Sequence, residues 1–502
     1  MPESHLLSSL PSLPPAPPVS SEEHYDQEIR NLRATLKQIP LGKVIAESPK
    51  QASIILDSLD PGEQSLTYLS FLVGHYQMRQ TGDPRSFPET LQPGGDIWSK
   101  AVLFLKTFDS IQIRYAGHEL VFLVDMIAAA AESVSKPFAA VHSIKEALLR
   151  IDPSCSTFTS THTTFVRLCL RSKAYVAALP ILEKSITHIP GQCDLQYLKR
   201  SQVSWCHPHS PSVAYITPSS GLSGKLNYRH YLEYFLYGSM IYIGLKRWDD
   251  ALHFLQIVIS APTNNSVSMI MVQAYKKWVL VSLIAKGTTL SLPETTSPQA
   301  VKLFKLLGRP YDLLADIFQS GSSARLKAEV DAGKSVWSND RNTGLVFQVM
   351  EAYRTFSISG IKRTFAALSV NDIPRVVAEE QADMHAVEMF AVRLIRTKLL
   401  DAHLVQSTHL KSPTILRFLT YNPQRNLSSE MGAVAFLAIQ KNSIQPLTWQ
   451  VHEMDAKFEL NNEYIDSVKR VKRRKETNKD AGVLMQSSHG GVYVEEDIMA
   501  EQ

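Results

Sequence analysis

Cysteine is scarce in this chain: Cys155, Cys169, Cys193 and Cys206 are the four among 502 residues. Four irregularly spaced thiols do not frame a disulfide scaffold, so they read as free thiols of a reducing compartment. An excess of one charge is also missing. The formal net charge is +4, from 52 basic and 48 acidic residues, and Lys469, Arg470, Lys472, Arg473, Arg474 and Lys475 stand together near the C-terminus. Without that cluster the chain is slightly acidic, which argues against a broad basic face for a phosphate backbone. Long apolar runs are absent too. Asp125 separates Leu120–Val124 from Met126–Ala131, well short of the ~20 residues that span a bilayer. The N-terminus shows no basic region leading into an apolar core, the pattern of a secretory signal. The expectation is a soluble intracellular protein with no membrane partner.

Catalytic patterns fail one by one. Cys206-His207-Pro208-His209 offers a His-x-His pair, and Thr217 falls where the hydroxyl of a deubiquitinase-type zinc metalloprotease would be. Ser220 then occupies the position that needs a carboxylate ligand, and a zinc site needs three or four such ligands in tetrahedral reach. Gly333-Lys334-Ser335 resembles the end of a phosphate-binding loop, but Ala328 replaces its first glycine inside a helical stretch. Gly221-Leu222-Ser223 lacks the closing glycine of a nucleophile elbow, because Lys225 stands there. The 16 histidines are scattered singly, a pattern that is structural or superficial far more often than catalytic. The reading is a protein with no catalytic residues, metal ligands or cofactor.

What the chain does have is helical periodicity. The densest aromatic and aliphatic stretch is 228–287, where Gly238, Phe254 and Pro262 stand at three positions of a tetratricopeptide-like helix pair. A small residue lets the helices approach, an aromatic plugs their crossing, and proline stops the second helix. Tyr175, Ala178, Leu179 and Leu182 precede Trp248, Ala251, Leu252 and Leu255 by about two repeat lengths. A pair of this kind buries its apolar face only by stacking on neighbours, so a solenoid is expected over 21–340, after a disordered Pro-rich start at 1–20. Residues 201–227, rich in Ser, Pro and Gly, read as a long loop or insertion.

Over 341–424 the pattern predicts a winged helix. Helices are expected at Ile361–Leu368, after an Asn371 cap, and at 382–397, followed by a hairpin of Asp401–Gln406 and Thr414–Tyr421. The third helix holds Arg393, Arg396 and Lys398 but also Glu379, Glu380 and Glu388 around its start. That suits a solvated amphipathic helix better than a one-sided reading head for nucleic acid. C-terminal helices follow over 425–475, where Leu447, Val451, Met454, Phe458, Asn461, Ile465 and Val468 alternate spacings of four and three, a coiled-coil seam with one polar position. The seam would dock into a bundle of partner helices or pack back on its own chain. The basic cluster Lys469–Lys475 fits a nuclear-import signal or a solvated helix end. Residues 476–502 read as a disordered tail. The fold class is thus mainly α: a helical-repeat solenoid, a winged helix and C-terminal helices.

That order of parts resembles the PCI family, the helical-repeat scaffold subunits of the proteasome lid, the COP-nine signalosome and the third translation-initiation complex. Tyr234-Phe235, Tyr237-Gly238, Met240-Ile241-Tyr242, Gly244-Leu245-Lys246, Ala274-Tyr275-Lys276-Lys277, Thr364-Phe365 and Leu368-Ser369 resemble the signalosome's subunit-three family in particular. The resemblance implies a non-catalytic scaffold of the complex that removes the ubiquitin-like modifier Nedd from cullin-RING ubiquitin ligases, present in nucleus and cytoplasm. Its implied partners are other PCI subunits and the metalloprotease subunit, with cullin-RING ligases reached indirectly. Family assembly pairs winged-helix strands edge to edge, which makes Arg417, Phe418, Leu419 and Tyr421 of Thr414–Tyr421 the candidate edge. Leu447, Val451, Met454, Phe458, Ile465 and Val468 are the candidate helical contacts. A proteasome-lid scaffold is the nearest rival reading, and a winged-helix adaptor for nucleic acid is the rival of a different class.

Overall fold

Apolar residues three and four apart put one face of each helix against the next, and the chain builds its core helix by helix. The computed structural model describes residues 22–39, 45, 49–79, 87–191, 205–207, 210–263, 267–376, 384–397, 400, 402–405 and 414–418. In the C-terminal part it describes 434, 437, 438, 441, 444, 447, 448 and 451. Two units result, one ending at Phe418 and one beginning at Leu419. The first opens with α1 (Glu22–Gln38), α2 (Pro49–Ser58), α3 (Ser65–Arg79), α4 (Asp96–Thr107), α5 (Ser110–Ile113), α6 (Gly117–Ser133) and α7 (Phe138–Ile151). It continues through α8 (Ser160–Ser172), α9 (Tyr175–Leu182), α10 (Ser212–Tyr215), α11 (Tyr228–Gly244), α12 (Trp248–Ile259) and α13 (Met269–Lys286). Then come α14 (Pro298–Leu307), α15 (Arg309–Gln319), α16 (Ser323–Ala332), α17 (Lys334–Asn339) and α18 (Thr343–Ile361).

The middle of this array shows why the sequence folds as stacked pairs. Helix α11 lies on α12, and α12 on α13. A Cβ at Gly238 would stand 2.8 Å from Phe254 Cδ1 and 3.1 Å from Leu182 Cδ2. Only glycine admits that approach. Phe254 fills the crossing with its ring 5.2 Å from Phe235 and 5.1 Å from Tyr242, centroid to centroid, and α12 ends at Ile259, before Pro262, which offers no N–H to continue it. A second repeat signal sits at the helix starts. Thr159 and His162 form a reciprocal cap at the head of α8, and Asn227 and His230 form the same cap at the head of α11, 68 positions later. That shift is two tetratricopeptide lengths of about 34 residues.

The stretch expected as a long loop or insertion is, in its described part, mostly irregular and packed. Ser212, Ala214, Tyr215, Ile216, Thr217 and Leu222 are buried. The Tyr215 hydroxyl donates to the Ile151 carbonyl at 2.7 Å, and the Arg114 guanidinium lies 3.9 Å from the Tyr215 ring centroid. Small polar residues here bond one another and the backbone, so a composition typical of loops is compatible with burial.

Helix α18 leaves the solenoid and starts the next module. Val346, Val349 and Tyr353 belong to the large core. Ile358 and Ile361 belong to a second core with Val370, Ile373, Leu394, Leu400, Ala402, Leu416 and Phe418. After α18 come β1 (Ala367–Ser369), a 3-10 turn at Val370–Asp372, α19 (Ile373–Val376), α20 (Met384–Arg396), β2 (Ala402–Val405) and β3 (Ile415–Phe418). Two expectations are corrected. The helix read over Ile361–Leu368 ends at its first residue, because turn bonds from Arg363, Thr364 and Phe365 N–H to Gly360 and Ile361 carbonyls reverse the chain. Ala367, Leu368 and Ser369 then pair with Arg417, Leu416 and Ile415; a short apolar run does not distinguish helix from strand by itself. Second, β3 is not an edge. The sheet order is β1-β3-β2, with both neighbours antiparallel, so β3 is hydrogen-bonded on both sides.

The Gly238–Phe254 contact predicts a measurable asymmetry. Gly238→Val should cost about 1–3 kcal/mol by overpacking and lower the urea midpoint of the intact chain. Gly344→Ala, on α18 with open space around the added methyl, should leave the midpoint unchanged or raise it.

Candidate functional site

Several chemical candidates from the sequence have a structural occupation among the described residues. The His207 backbone belongs to a clamp: the Arg114 guanidinium donates to the Trp205 carbonyl at 2.6 Å and to the His207 carbonyl at 2.9 Å. Thr217 and Ser220 bond each other in a turn, with Ser220 N–H donating to Thr217 Oγ1 at 3.2 Å and Ser220 Oγ to the Thr217 carbonyl at 2.9 Å. Pro208 and His209 lie outside the described residues. Among the described residues, no group of three His, Cys, Asp or Glu is placed to hold a metal ion. Gly333 separates α16 from α17, and a Cβ on it would lie 2.5 Å from Trp337 Cε2, so its role is to make room for an indole. Ser223 Oγ accepts the Ser160 N–H at 3.1 Å and donates to the Gly224 carbonyl at 2.9 Å. It serves the backbone.

The densest titratable cluster joins α1 to the start of α6. Tyr115 OH donates to Asp26 Oδ1 and lies 2.9 Å from Cys206 Sγ, while Arg30 Nε donates to Asp26 Oδ2 at 2.6 Å. Burial opposes the Asp26 carboxylate, yet the hydrogen bonds from Arg30 and Tyr115 outweigh it and hold its pKa below the ordinary value. Cys206 is fully buried, and Arg30 lies over the rings of Tyr115 and Trp205. The arrangement pins the 205–207 segment to α1. Nearby, a cleft of about 360 Å³ is lined by Arg33, Leu36, Leu66, Val73 and Glu119, with Arg33 Nη2 3.7 Å from Glu119 Oε1.

The winged helix places its charged residues with equal clarity. On α20, Ala391 and Leu394 are buried. Arg393 pairs with Glu351 of α18 and lies 5.3 Å from the Phe390 ring centroid, which commits one of the cations considered for nucleic acid. Thr414 Oγ1 donates to Glu388 Oε1 at 3.1 Å. On β3, Leu416 and Phe418 face the core and Ile415 and Arg417 face out. Phe418 is therefore a core residue and Arg417 an exposed one. The outer strands β1 and β2 were not singled out from the sequence as contacts; the Ala367–Ser369 strand is too short to announce itself by alternation.

In the second unit, Val434, Leu437, Ile444, Leu447 and Val451 are helical and exposed. This agrees with a helix for the first two seam residues, Leu447 and Val451. Leu419, Tyr421, Met454, Phe458, Ile465, Val468 and the cluster Lys469, Arg470, Lys472, Arg473, Arg474 and Lys475 lie outside the described residues.

His162 caps the head of α8 from a buried position. Its Nδ1 accepts the Thr159 N–H at 3.2 Å and lies 2.8 Å from Thr159 Oγ1, between the rings of Phe158 and Tyr234. Burial pushes its pKa down to about 4. The unfolded chain takes up this proton below its ordinary value of 6.5 and the folded chain does not, so the stability it contributes is lost as pH falls from 6.5 toward 4. His162→Gln should remove on the order of 2 kcal/mol of the acid sensitivity between pH 7 and 5, read as a smaller shift of the denaturation midpoint than in the parent chain.

The comparisons agree with this architecture. Residues 26–300 match the family model described as COP9 signalosome complex subunit 3, N-terminal helical repeats. The chain is 37% identical over 497 residues to the COP9 signalosome complex subunit 3 of Emericella nidulans, covering 99% of this chain and 98% of that protein. It is 28% identical over 513 residues to the protein of the same name from Neurospora crassa, covering 98% of each. The similarity thus runs along nearly the full length, and the chain belongs to the COP9 signalosome complex subunit 3 family.

Proposed function

We propose that this chain is a non-catalytic scaffold subunit of the COP9 signalosome, the assembly that removes the ubiquitin-like modifier Nedd from cullin-RING ligases. The observation that carries the reading is the full-length match to relatives bearing that subunit's name. The commitments of the described candidate groups support it: Ser223, Thr217, Ser220 and His162 serve turns and caps, and Cys206 is sealed inside the fold. Its partners are other PCI subunits and the metalloprotease subunit, and its compartments are the nucleus and cytoplasm, with Lys469–Lys475 as the candidate import signal.

Contacts between subunits would use two kinds of surface. The outer strands β1 and β2 replace β3 as the pairing edges, because β3 has no unpaired side in the described sheet. The C-terminal helix would enter a helical bundle through Leu447, Val451, Met454, Phe458, Ile465 and Val468. Purification of the tagged chain followed by mass spectrometry separates this reading from a proteasome-lid scaffold. Cullins and the remaining signalosome subunits are expected, and recovery of the proteasome ATPases would overturn it.

Leu447 and Val451 are 51% and 57% exposed, so charge there should not unfold the chain. The double substitution Leu447→Asp, Val451→Asp is expected to leave the circular dichroism spectrum intact and to move the chain out of the assembly on gel filtration. Continued co-elution would remove this helix from the interface.

A further inference from the structure

The cleft beside α1 has an aliphatic floor and a rim of hydrogen-bond donors. Leu66, Ser70, Val73 and Gln77 follow one another on α3 at spacings of four, three and four, so one helix face forms a wall. Leu36 of α1 and Ile39 just after it complete the floor with Leu66 and Val73. Arg33, Lys37 and Gln77 on the rim carry N–H donors. Arg33 Nε is shielded from solvent and has no hydrogen-bond partner among the described residues. Glu119 offsets one of the two cations, its Oε1 lying 3.7 Å from Arg33 Nη2, so the cleft selects for acceptors rather than for net charge.

Residues 1–20 lie outside the described residues, and their sequence has the matching pattern. Leu7, Leu10, Leu13, Ala16 and Val19 recur at every third position, while the other positions from 8 to 20 hold only Ser and Pro. A polyproline II helix has three residues per turn, which puts all five side chains on one face. Prolines at 11, 14, 15, 17 and 18 are incompatible with an α-helix there. Carbonyls in polyproline II have no internal partners, and each proline lacks an N–H, so such a segment offers acceptors in excess. Glu3 is the one residue among Asp, Glu, Lys and Arg in 1–20, and the match owes little to charge.

The tether brings the two together. Helix α1 begins at Glu22, and Arg33 and Lys37 stand ~17 and ~23 Å further along it at 1.5 Å per residue. Leu13 and Leu10 precede Glu22 by ~28 and ~37 Å of polyproline II at 3.1 Å per residue. Folded back along α1, both leucines reach the cleft. A short tether gives an effective concentration in the millimolar range, an advantage over any untethered competitor.

We propose that residues 7–19 of this chain fold back along α1 and dock in the cleft as a polyproline II helix. Leu10 and Leu13 meet the aliphatic floor, and backbone carbonyls accept from Arg33, Lys37 and Gln77. The prolines preset φ and reduce the freedom lost on docking. Stacked repeats leave the first helices with a neighbour on one side only, and the segment serves as their cap.

A photoreactive benzophenone side chain placed at Leu10, or separately at Ser9, in the purified full chain tests this, with mass spectrometry locating the links. Position 10 is expected to link to residues 33–39 or 66–77, and position 9, a third of a turn away, to give at least threefold fewer such links. Leu7→Ser with Leu13→Ser should cut the yield from position 10 at least fivefold without altering any residue of the described fold. Lys37→Glu with Gln77→Glu, both exposed, should do the same with an unchanged melting curve; if that variant melts early, the serine variant decides alone. Links from position 10 that are missing or scattered, equal yields from positions 9 and 10, or a yield insensitive to the serine substitutions overturn the proposal. Links found only between light and heavy isotopic copies would move the segment to a second copy of the chain, which also overturns it.

Discussion

Helix α18 is a member of two cores, and the arrangement of the first unit depends on it. Its first half contributes Val346, Val349 and Tyr353 to the solenoid, and its last turn contributes Ile358 and Ile361 to the winged helix. A helix keeps its two halves in fixed relation at 1.5 Å per residue, so the orientation of the second core follows from how the first half is held. That hold is polar as well as apolar. Asn342, just before α18, accepts from the buried Lys277 ammonium and donates from Nδ2 to Tyr311 OH at 2.9 Å. Tyr311 OH donates to Asp340 Oδ2 at 2.8 Å, and Lys276 pairs with the same carboxylate at 2.7 Å. Burial pulls the Lys277 pKa down to about 8 even with Asp340 nearby, a penalty tolerable only because its Nζ has a specific partner. A chain of bonds of this kind accepts one geometry, which apolar packing alone does not demand.

The rest of the solenoid needs less specification because its repeats specify one another. Gly238 and Phe254 set the distance between α11 and α12, and the His-based caps set where α8 and α11 begin. Each repeat contacts its neighbours, so stability accumulates by interfaces along the stack. The clamp at Trp205–His207 breaks that one-dimensional pattern. It ties a segment after α9 back to α1 through Arg114, Tyr115 and Asp26, which gives the first helices a long-range closure that nearest-neighbour stacking would not supply.

Much of this was legible in the sequence, and the limits have physical causes. The Gly238–Phe254–Pro262 spacing predicted the helix crossing because steric exclusion at a crossing admits few residue types. Asp401–Gln406 and Thr414–Tyr421 predicted β2 and β3 because alternation reports a half-buried strand. Strand order escaped the same reading. Alternation records which face is buried and is silent about which neighbours the backbone finds, so β1 at the end of Ile361–Leu368 and the central place of β3 became visible only from pairing. In 201–227 the loop composition was silent about packing: Ser, Pro and Gly are usual in loops, but Ser212, Thr217 and Ser220 satisfy their hydroxyls through hydrogen bonds and can be buried. The candidate contacts were legible in part. Leu447 and Val451 announced an apolar seam, whereas Phe418 was mistaken for a contact because a core residue and an interface residue have the same chemistry.

That last confusion identifies what separates fold from function in a helical-repeat protein. Core and interface draw on one set of apolar side chains, and sequence periodicity alone does not distinguish a stripe covered by the same chain from one left for another. Exposure in the folded unit makes the distinction. Tyr234, Phe235, Phe254 and Trp278 form the most conspicuous apolar run and are all buried, so the stretch that best proclaims the fold has little left to offer a partner. The helix at Leu447 and Val451 is less conspicuous in sequence and more available in space. Water-exposed aliphatic area contributes nothing to the stability of this chain alone, while burying it on association would gain about 25 cal/mol per Å². The described candidate groups Thr217, Ser220, Ser223 and His162 are tied up in turns and caps, so in the proposed assembly that uncommitted area would be the free energy available for association.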